Sequence, residues 1–344
     1  MGVLHALKIA AVLLLAAASP AAFAKQVNGL FRSSDGGKSW TLSGKGLSGE
    51  VRINAFAIAD GGILAATNSG ILISKDQGLS WRATKGVPAS TGRLISIAGS
   101  SLRAFAGTDG DGLLGSSDGG RSWAPVTSFP AKKVRCLVIH QGVVFAGTDT
   151  QGVFASEDLG KSWNQMTSGL PSHSQVFAMS MVGNKLFAGL YSRGLFTWDE
   201  AAKHWLQVGS VKPLALANIG DTLLAGHNPG GIHWSADSGA SWVPGRASVV
   251  GIDAASLLIP AGQGEWSANI PVWEMGAAEG SNAIAGAGEG IYYSEDKGRQ
   301  WHRAREGLPE TSPGIAFLVR PGFILAAVLV ESNEGEFRDV DVEK

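Results

Sequence analysis

Ser33-Ser34-Asp35-Gly36-Gly37-Lys38-Ser39-Trp40 decides the fold, because its pattern returns along the whole chain. Good copies stand at 74–81, 116–123, 156–163, 235–242 and 294–301, and a degenerate copy at 197–205 has one extra residue and lacks the glycine. The closing tryptophans, Trp40, Trp81, Trp123, Trp163, Trp205, Trp242 and Trp301, are spaced by 41, 42, 40, 42, 37 and 59 residues. Self-similarity at a period of about forty residues is the signature of a repeat architecture.

Around each octet the surroundings repeat as well. Val143 to Thr148 and Gly152 to Ser156 are two short β-rich runs joined by a turn, with a third run, Val134 to Ile139, upstream. With the run after the tryptophan, each unit supplies four antiparallel strands, A to D from the inside outward. The octet itself closes the C–D hairpin. Its Ser or Thr and its Asp (Asp35, Asp76, Asp118, Asp158, Asp199, Asp237, Asp296) accept backbone hydrogen bonds, the Gly permits positive φ, and the Trp packs between units. Four strands per forty residues predict an all-β, seven-bladed β-propeller of four-stranded antiparallel blades.

The two ends of the chain complete one blade. The first octet follows Gly29-Leu30-Phe31-Arg32 with no A or B run before it, while Gly314 to Val319 and Phe323 to Val328 are an A and a B run without an octet. A blade shared between the termini closes the ring and removes exposed sheet edges. An eighth blade would need 335–340 as a further C strand.

These octets resemble the Asp-box, or bacterial neuraminidase repeat, S/T-x-D-x-G-x-T/S-W, and the resemblance covers nearly all of the chain after residue 24. It implies structural turns shared by sialidases, xyloglucanases, sortilin-type receptors and photosystem II assembly factors, so it speaks for fold more than for function. In architecture the chain is most similar to the photosystem II assembly-factor branch, which implies a role in assembling or stabilising another envelope complex.

Composition narrows the rest. Of 344 residues 48 are glycine, 44% are hydrophobic and 17% charged, with 28 basic against 29 acidic side chains. That balance argues against a disordered polyelectrolyte or a generic nucleic-acid binder. Residues 1–24 read as a signal peptide, with His5 and Lys8, an apolar run from Ile9 to Ala18, and Ala22-Phe23-Ala24 before Lys25. The apolar run is too short to span a bilayer. Residues 25–344 are therefore expected to be one exported propeller, periplasmic or secreted, with no membrane span after cleavage. A lone Cys136 excludes an intramolecular disulfide and any cysteine-clustered metal site.

Strand alternation sorts the polar residues between two faces. The loop leading into strand A and the B–C loop lie on one face, and the A–B loops and octets on the other. The octet aspartates and tryptophans are thereby assigned to structure. The first face carries Arg52, Asn54, Arg93, Lys133, Arg135, Lys212 and Glu274 near the inner strands, and Asn68, Asp109, Asp111, Asp149, Tyr191, Arg193, His227, Asn228 and Glu289 in B–C loops. Cations converging on a channel mouth suit a carboxylate, a phosphate or an acidic protein segment. Charges at strand ends are equally served by meeting solvent. The ligand-binding candidates are Arg52, Arg93, Lys133, Arg135, Arg193, Lys212 and Glu274, with Arg52, Arg93 and Arg135 on three successive units, and the expected partner is a protein or an anionic ligand.

The sialidase resemblance implies an arginine triad on this face together with a tyrosine nucleophile. The family's Phe/Tyr-Arg-Ile-Pro motif is absent, its nearest match being Val51-Arg52-Ile53-Asn54, and Tyr292 and Tyr293 fall on a C strand, so only Tyr191 suits the role. Xyloglucanases resemble two such propellers joined, and this chain supplies one. Asp109-Gly110-Asp111-Gly112 hints at a calcium loop, but Gly120 stands where an EF-hand needs Glu. No H-E-x-x-H, Walker or dinucleotide pattern occurs, so neither metal nor cofactor is expected. The long spacing between Trp242 and Trp301 places an insertion at about 245–268, containing Leu257-Leu258-Ile259-Pro260 and Trp266, which should project from the cationic face. An acidic tail, 331–344, follows the last strand. The expected function is a non-catalytic binding or assembly scaffold, with a sialidase-type glycoside hydrolase as the alternative.

Overall fold

The computed structural model describes residues 25–48, 50–191, 193–209, 211–227, 231–248, 272–277, 282–287, 290–310 and 312–332. The expected signal peptide, most of the 245–268 insertion including Trp266, the proposed eighth-blade segment 335–340, Asn228 and Glu289 lie outside them. By its contacts the chain divides into Val27–Val330, which is the propeller, and a second unit of Met1–Gln26 with Glu331–Lys344. Among the described residues no helix is long and apolar enough to cross a membrane.

Seven antiparallel sheets are present among the described residues. Their inner strands are Ile53–Ala59, Leu94–Ser100, Val134–His140, Val176–Val182, Pro213–Ile219, Val272–Ala277 and Gly314–Arg320, which begin blades 1 to 7 in chain order. Blade 7 runs Gly314–Arg320, Phe323–Ser332, Lys25–Ser33, Thr41–Ser43 from inside outward, so the two ends of the chain do share one sheet. It packs on blade 6 through Phe31, Trp40 and Ile284, and on blade 1 through Leu30, Leu325, Ile63 and Trp81.

The sequence forms these layers for a simple reason. Each B strand is covered on both faces by neighbouring blades, and such strands read as continuous apolar or small runs. Gly62–Thr67 (GILAAT) is buried at every position. Outer strands are short and exposed, as in Arg82–Ala83 and Ala124–Pro125.

The octets close their hairpins through side chains. In blade 2 the Ser116 hydroxyl donates to Asp118 Oδ1 (2.8 Å) and accepts from Gly120 N–H (2.9 Å). Asp118 also accepts from Ser122 N–H (3.0 Å) and Oγ (2.5 Å), and the Trp123 indole donates to the Gly120 carbonyl (3.1 Å). Blades are then latched to each other, because Trp123 N–H donates to the Lys85 carbonyl of the preceding linker (2.9 Å) and Trp81 N–H to that of Lys45 (3.1 Å). Gly86 has φ +77°, and a Cβ there would collide with the Trp123 carbonyl oxygen. A glycine-leucine/valine step follows four of the seven tryptophans, Gly46-Leu47, Gly86-Val87, Gly169-Leu170 and Gly307-Leu308.

Three expectations change. Blade 6 has five strands, not four, because Arg246–Ser248 pairs in parallel with Gln300–Arg303 on its outer edge. The insertion therefore starts by running along that edge instead of projecting at once from the cationic face. In the degenerate octet, Asp199 accepts from Ala201 and Ala202 N–H (2.9 and 3.0 Å), and the Trp205 indole donates to Met166 of the preceding blade (2.9 Å), because the octet glycine is missing.

Candidate functional site

A common register builds the channel mouth. Every inner strand carries a one-residue bulge after its first pair, at Ile53/Ala55, Leu94/Ser96, Val134/Cys136, Val176/Ala178, Pro213/Ala215, Val272/Glu274 and Gly314/Ala316. Bulges of this kind re-aim side chains at barrel and sheet rims. The residue before each strand consequently occupies one equivalent slot, filled by Arg52, Arg93, Lys133, Gln175 and Lys212 in blades 1 to 5. Its carbonyl accepts from the first residue of the B–C loop, Asn68 (3.1 Å), Asp109 (2.9 Å), Asp149 (3.3 Å) and Tyr191 (3.0 Å) in blades 1 to 4. The two loop sets do share a face, as strand alternation requires.

Arg135 does not belong to this ring. It lies two residues further on, within the bulge of blade 3, so the equivalent of Arg52 and Arg93 there is Lys133. Spacing alone hid this because unit lengths vary by a residue or two, and only the strand pairing shows which residue stands just before the inner strand.

Charge pairing divides the cations. Asp109 bridges Arg93 Nη2 (2.9 Å) and Lys133 Nζ (2.6 Å). Burial opposes ionisation of Asp109, but the Lys133 and Arg93 charges outweigh it and hold the carboxyl below its usual range. Arg135 Nε donates to Asp149 Oδ1 (2.5 Å), and its guanidinium sits 4.2 Å from the Phe177 ring centroid. Phe177 in turn stacks on Tyr191, with centroids 4.9 Å apart and planes at 27°.

Blade 1 differs at one atom. Where blades 2 and 3 open the B–C loop with aspartate, blade 1 has Asn68, whose Oδ1 accepts from Arg52 N–H (2.9 Å) and whose Nδ2 donates to the Glu50 carbonyl (3.1 Å). Arg52 is half-buried, and no described carboxylate pairs with it. Its Nε is buried without a hydrogen-bond partner. Burial, then the neighbouring Arg93 charge, shifts the Arg52 guanidinium downward, yet an arginine remains charged at neutral pH.

The remaining candidates scatter. Arg193 and Lys212 are exposed at the rim. Asp111 accepts from Gly92 N–H (2.8 Å), and Asn54 donates to the Leu94 carbonyl (2.7 Å). His227 is 8% exposed, and burial, then His233, lowers it to about 4. Glu274 is half-buried on an inner strand, and burial of its carboxyl pushes it up to about 7 against the Met275 N–H. Tyr191 is 41% exposed and is fixed by its Phe177 stack and its backbone bond. A tyrosine nucleophile needs a base within hydrogen-bond reach, and the structure puts a phenylalanine ring against it. Phe177 and Asn68 were not singled out from sequence. Aligning B-strand ends, Thr67-Asn68, Thr108-Asp109 and Thr148-Asp149, would have found the second.

No family model and no curated protein matches this chain. Solved structures do match. A GH74 xyloglucanase from Xanthomonas campestris superposes with a TM-score of 0.63 at 19% identity, covering 88% of this chain and 55% of that one. YCF48 bound to D1 peptide gives 0.59 at 16%, covering 81% and 93%. The extracellular domain of a putative one-component system from B. thetaiotaomicron gives 0.63 at 15%, covering 82% and 39%. The chain thus spans about half the length of the xyloglucanase. At these identities the likeness is one of fold, a propeller shared by enzymes and by binding proteins.

Proposed function

We propose that this chain is an exported, non-catalytic propeller that captures an acidic polypeptide segment at its channel mouth. The observation that carries the reading is Arg52. It is a half-buried cation in a ring whose members at blades 2 and 3, Arg93 and Lys133, share the Asp109 carboxylate, while its own B–C loop opens with the uncharged Asn68. Leaving a guanidinium desolvated beside Arg93 costs free energy, and an incoming carboxylate would recover it through charge-assisted hydrogen bonds. Arg193 and Lys212 at the rim extend the positive field, and the similarity to a structure with a bound peptide supports a peptide as ligand. Export is supported by the reading of residues 1–24 and by the extracellular neighbour.

Fluorescence anisotropy of a labelled acidic peptide tests this directly. Wild-type binding should weaken with salt, and Arg52→Gln should reduce it by about tenfold or more. An Arg52→Gln affinity equal to wild type would refute the reading. Turnover of an aryl sialoside that vanishes in Tyr191→Phe would instead establish the hydrolase.

A further inference from the structure

A cavity of about 320 Å³ lies between the B–C loop of blade 1 and the linker to blade 2, walled by Gly70, Ile71, Leu72, Val87, Ala89 and Gly92. Asn68, which bonds both the N–H and the carbonyl of Arg52, also lines it. Gly92 directly precedes Arg93. The cavity is thus joined to the mouth at two successive cations of the ring.

Blades 2 and 3 close the same place with their own chain. Their loops, Thr108-Asp109-Gly110-Asp111-Gly112 and Thr148-Asp149-Thr150-Gln151-Gly152, end on a glycine whose N–H donates to the following linker, at the Lys132 carbonyl (2.6 Å) and the Ser174 carbonyl (3.3 Å). Blade 1 has Thr67-Asn68-Ser69-Gly70, one residue shorter. Gly70 takes φ +135°, against +79° at Gly112 and +71° at Gly152, and among the described residues no carbonyl accepts its N–H. A Cβ at Gly112 would meet the Ala131 carbonyl oxygen, and one at Gly152 the Leu170 side chain, both at 3.2 Å, whereas at Gly70 it would meet nothing within 4 Å.

The linker side chain differs as well. Val126 N–H and Thr84 N–H bond the first carbonyl of their C strands, at Leu113 and Ile71, and three residues further on stand Phe129 in blade 2 and Val87 in blade 1. Phe129 is buried against Leu113 and meets Trp163 edge to face, and in blade 3 Leu170 closes the same turn. Val87 is smaller than either and half-buried. Blade 1 therefore lacks both things its neighbours take from the linker, a large apolar side chain and a carbonyl for the loop glycine.

We propose that this cavity receives one phenylalanine-sized apolar side chain of the polypeptide whose acidic group is held at Arg52, with a carbonyl of that polypeptide on Gly70 N–H, an inference that rests on the mouth reading for the rest of the ligand. The walls are set before binding, because Asn54 holds the Leu94 carbonyl (2.7 Å) and Asp111 holds Gly92 N–H (2.8 Å). A preformed recess spares the cost of ordering it. Burying a ring against Ile71, Leu72 and Val87 is favourable, and the Gly70 donor gains the partner that its counterparts already have. An apolar anchor beside a charge-paired acid selects a sequence, where the cations alone select only a charge.

Anisotropy with labelled acidic peptides tests the cavity. The peptides carry one phenylalanine at successive positions on either side of a central glutamate, and a reference peptide has alanine there. In wild type the best phenylalanine peptide should bind about tenfold tighter than the reference. Val87→Phe, which installs the blade 2 side chain, and Ala89→Trp should each remove that advantage and leave the affinity for the reference near wild type. Arg52→Gln should weaken both peptides by the same factor. Equal affinities in wild type, or an advantage that survives both filled variants, overturn the cavity as a subsite, while loss of binding on Arg52→Gln keeps the mouth reading. If no peptide binds, the mouth reading fails, and N-acetylphenylalaninamide decides the cavity alone. Ring-current shifts of the Ile71, Leu72 and Val87 methyl signals with that probe support it, and unmoved signals overturn it.

Discussion

Replacing Asn68 with aspartate should switch off the mouth without removing any cation from it. Blades 2 and 3 already open the B–C loop with a carboxylate, and there Asp109 holds Arg93 and Lys133 at 2.9 and 2.6 Å, while Asp149 holds Arg135. Asn68 N–H bonds the Arg52 carbonyl as Asp109 N–H bonds that of Arg93, so an aspartate at 68 takes the place relative to Arg52 from which Asp109 pairs with Arg93. Unit charges about 4 Å apart interact by about 4 kcal/mol at an effective dielectric of about 20, before solvent and side-chain entropy take most of it back. A net loss to the ligand of roughly 1.5 to 3 kcal/mol corresponds to roughly ten- to hundredfold weaker peptide binding. Asn68→Ala is the control. It also loses the bonds to Arg52 N–H and the Glu50 carbonyl, but adds no charge, and should retain most of the affinity. The assay is peptide anisotropy at low and moderate salt. Equal loss in both variants, or unchanged binding in Asn68→Asp, would refute the role given to Arg52.

Five further outcomes are expected. Deleting residues 314–330 removes Ile324, Leu325, Ala326, Ala327 and Val328 from the core and opens the ring, and should abolish the cooperative melting transition, since the loss exceeds the roughly 5–15 kcal/mol by which domains are stable. Trp123→Ala, at a side chain 3% exposed that donates to Gly120, should cost roughly 3 to 5 kcal/mol in denaturant unfolding, with peptide affinity of the folded fraction unchanged. Glu274 has a raised pKa in the folded state, so the folded protein binds the extra proton, and stability should fall as pH rises from 4.5 to about 7, by at most about 3 kcal/mol. Glu274→Gln should flatten that slope in a series of melts. The octet aspartates act with the opposite sign: Ser80, Ser162 and Ser241 hydroxyl and N–H donors lower Asp76, Asp158 and Asp237 to about 2, so their contribution is present above about 4 and is lost as pH falls towards 2. His227, lowered to about 4, adds to acid sensitivity between about 6.5 and 4, and His227→Gln should remove that part.

The repeated octet determined the fold by itself, because each copy is a local device. In six copies Ser, Asp, Gly and Trp find one another within eight residues, so with the degenerate seventh they announce seven hairpins before any long-range contact is known. The missing A and B runs at the start and the surplus pair at the end announced a shared blade in the same way. Which residues line the mouth was half legible, since strand alternation put the right loops on one face. Their pairing was not legible. Whether a cation is free depends on a partner some sixteen residues away in Arg93–Asp109, on a neighbouring blade in Lys133–Asp109, and on the strand register that sets Arg135 two residues past the ring. The same register gives Glu274 the position that four other blades fill with alanine, although nothing beside it in sequence marks it out. Turn chemistry is written in neighbouring residues and survives as pattern. Charge neutralisation and desolvation are sums over whatever the ring brings together, and only the closed tertiary structure decides them.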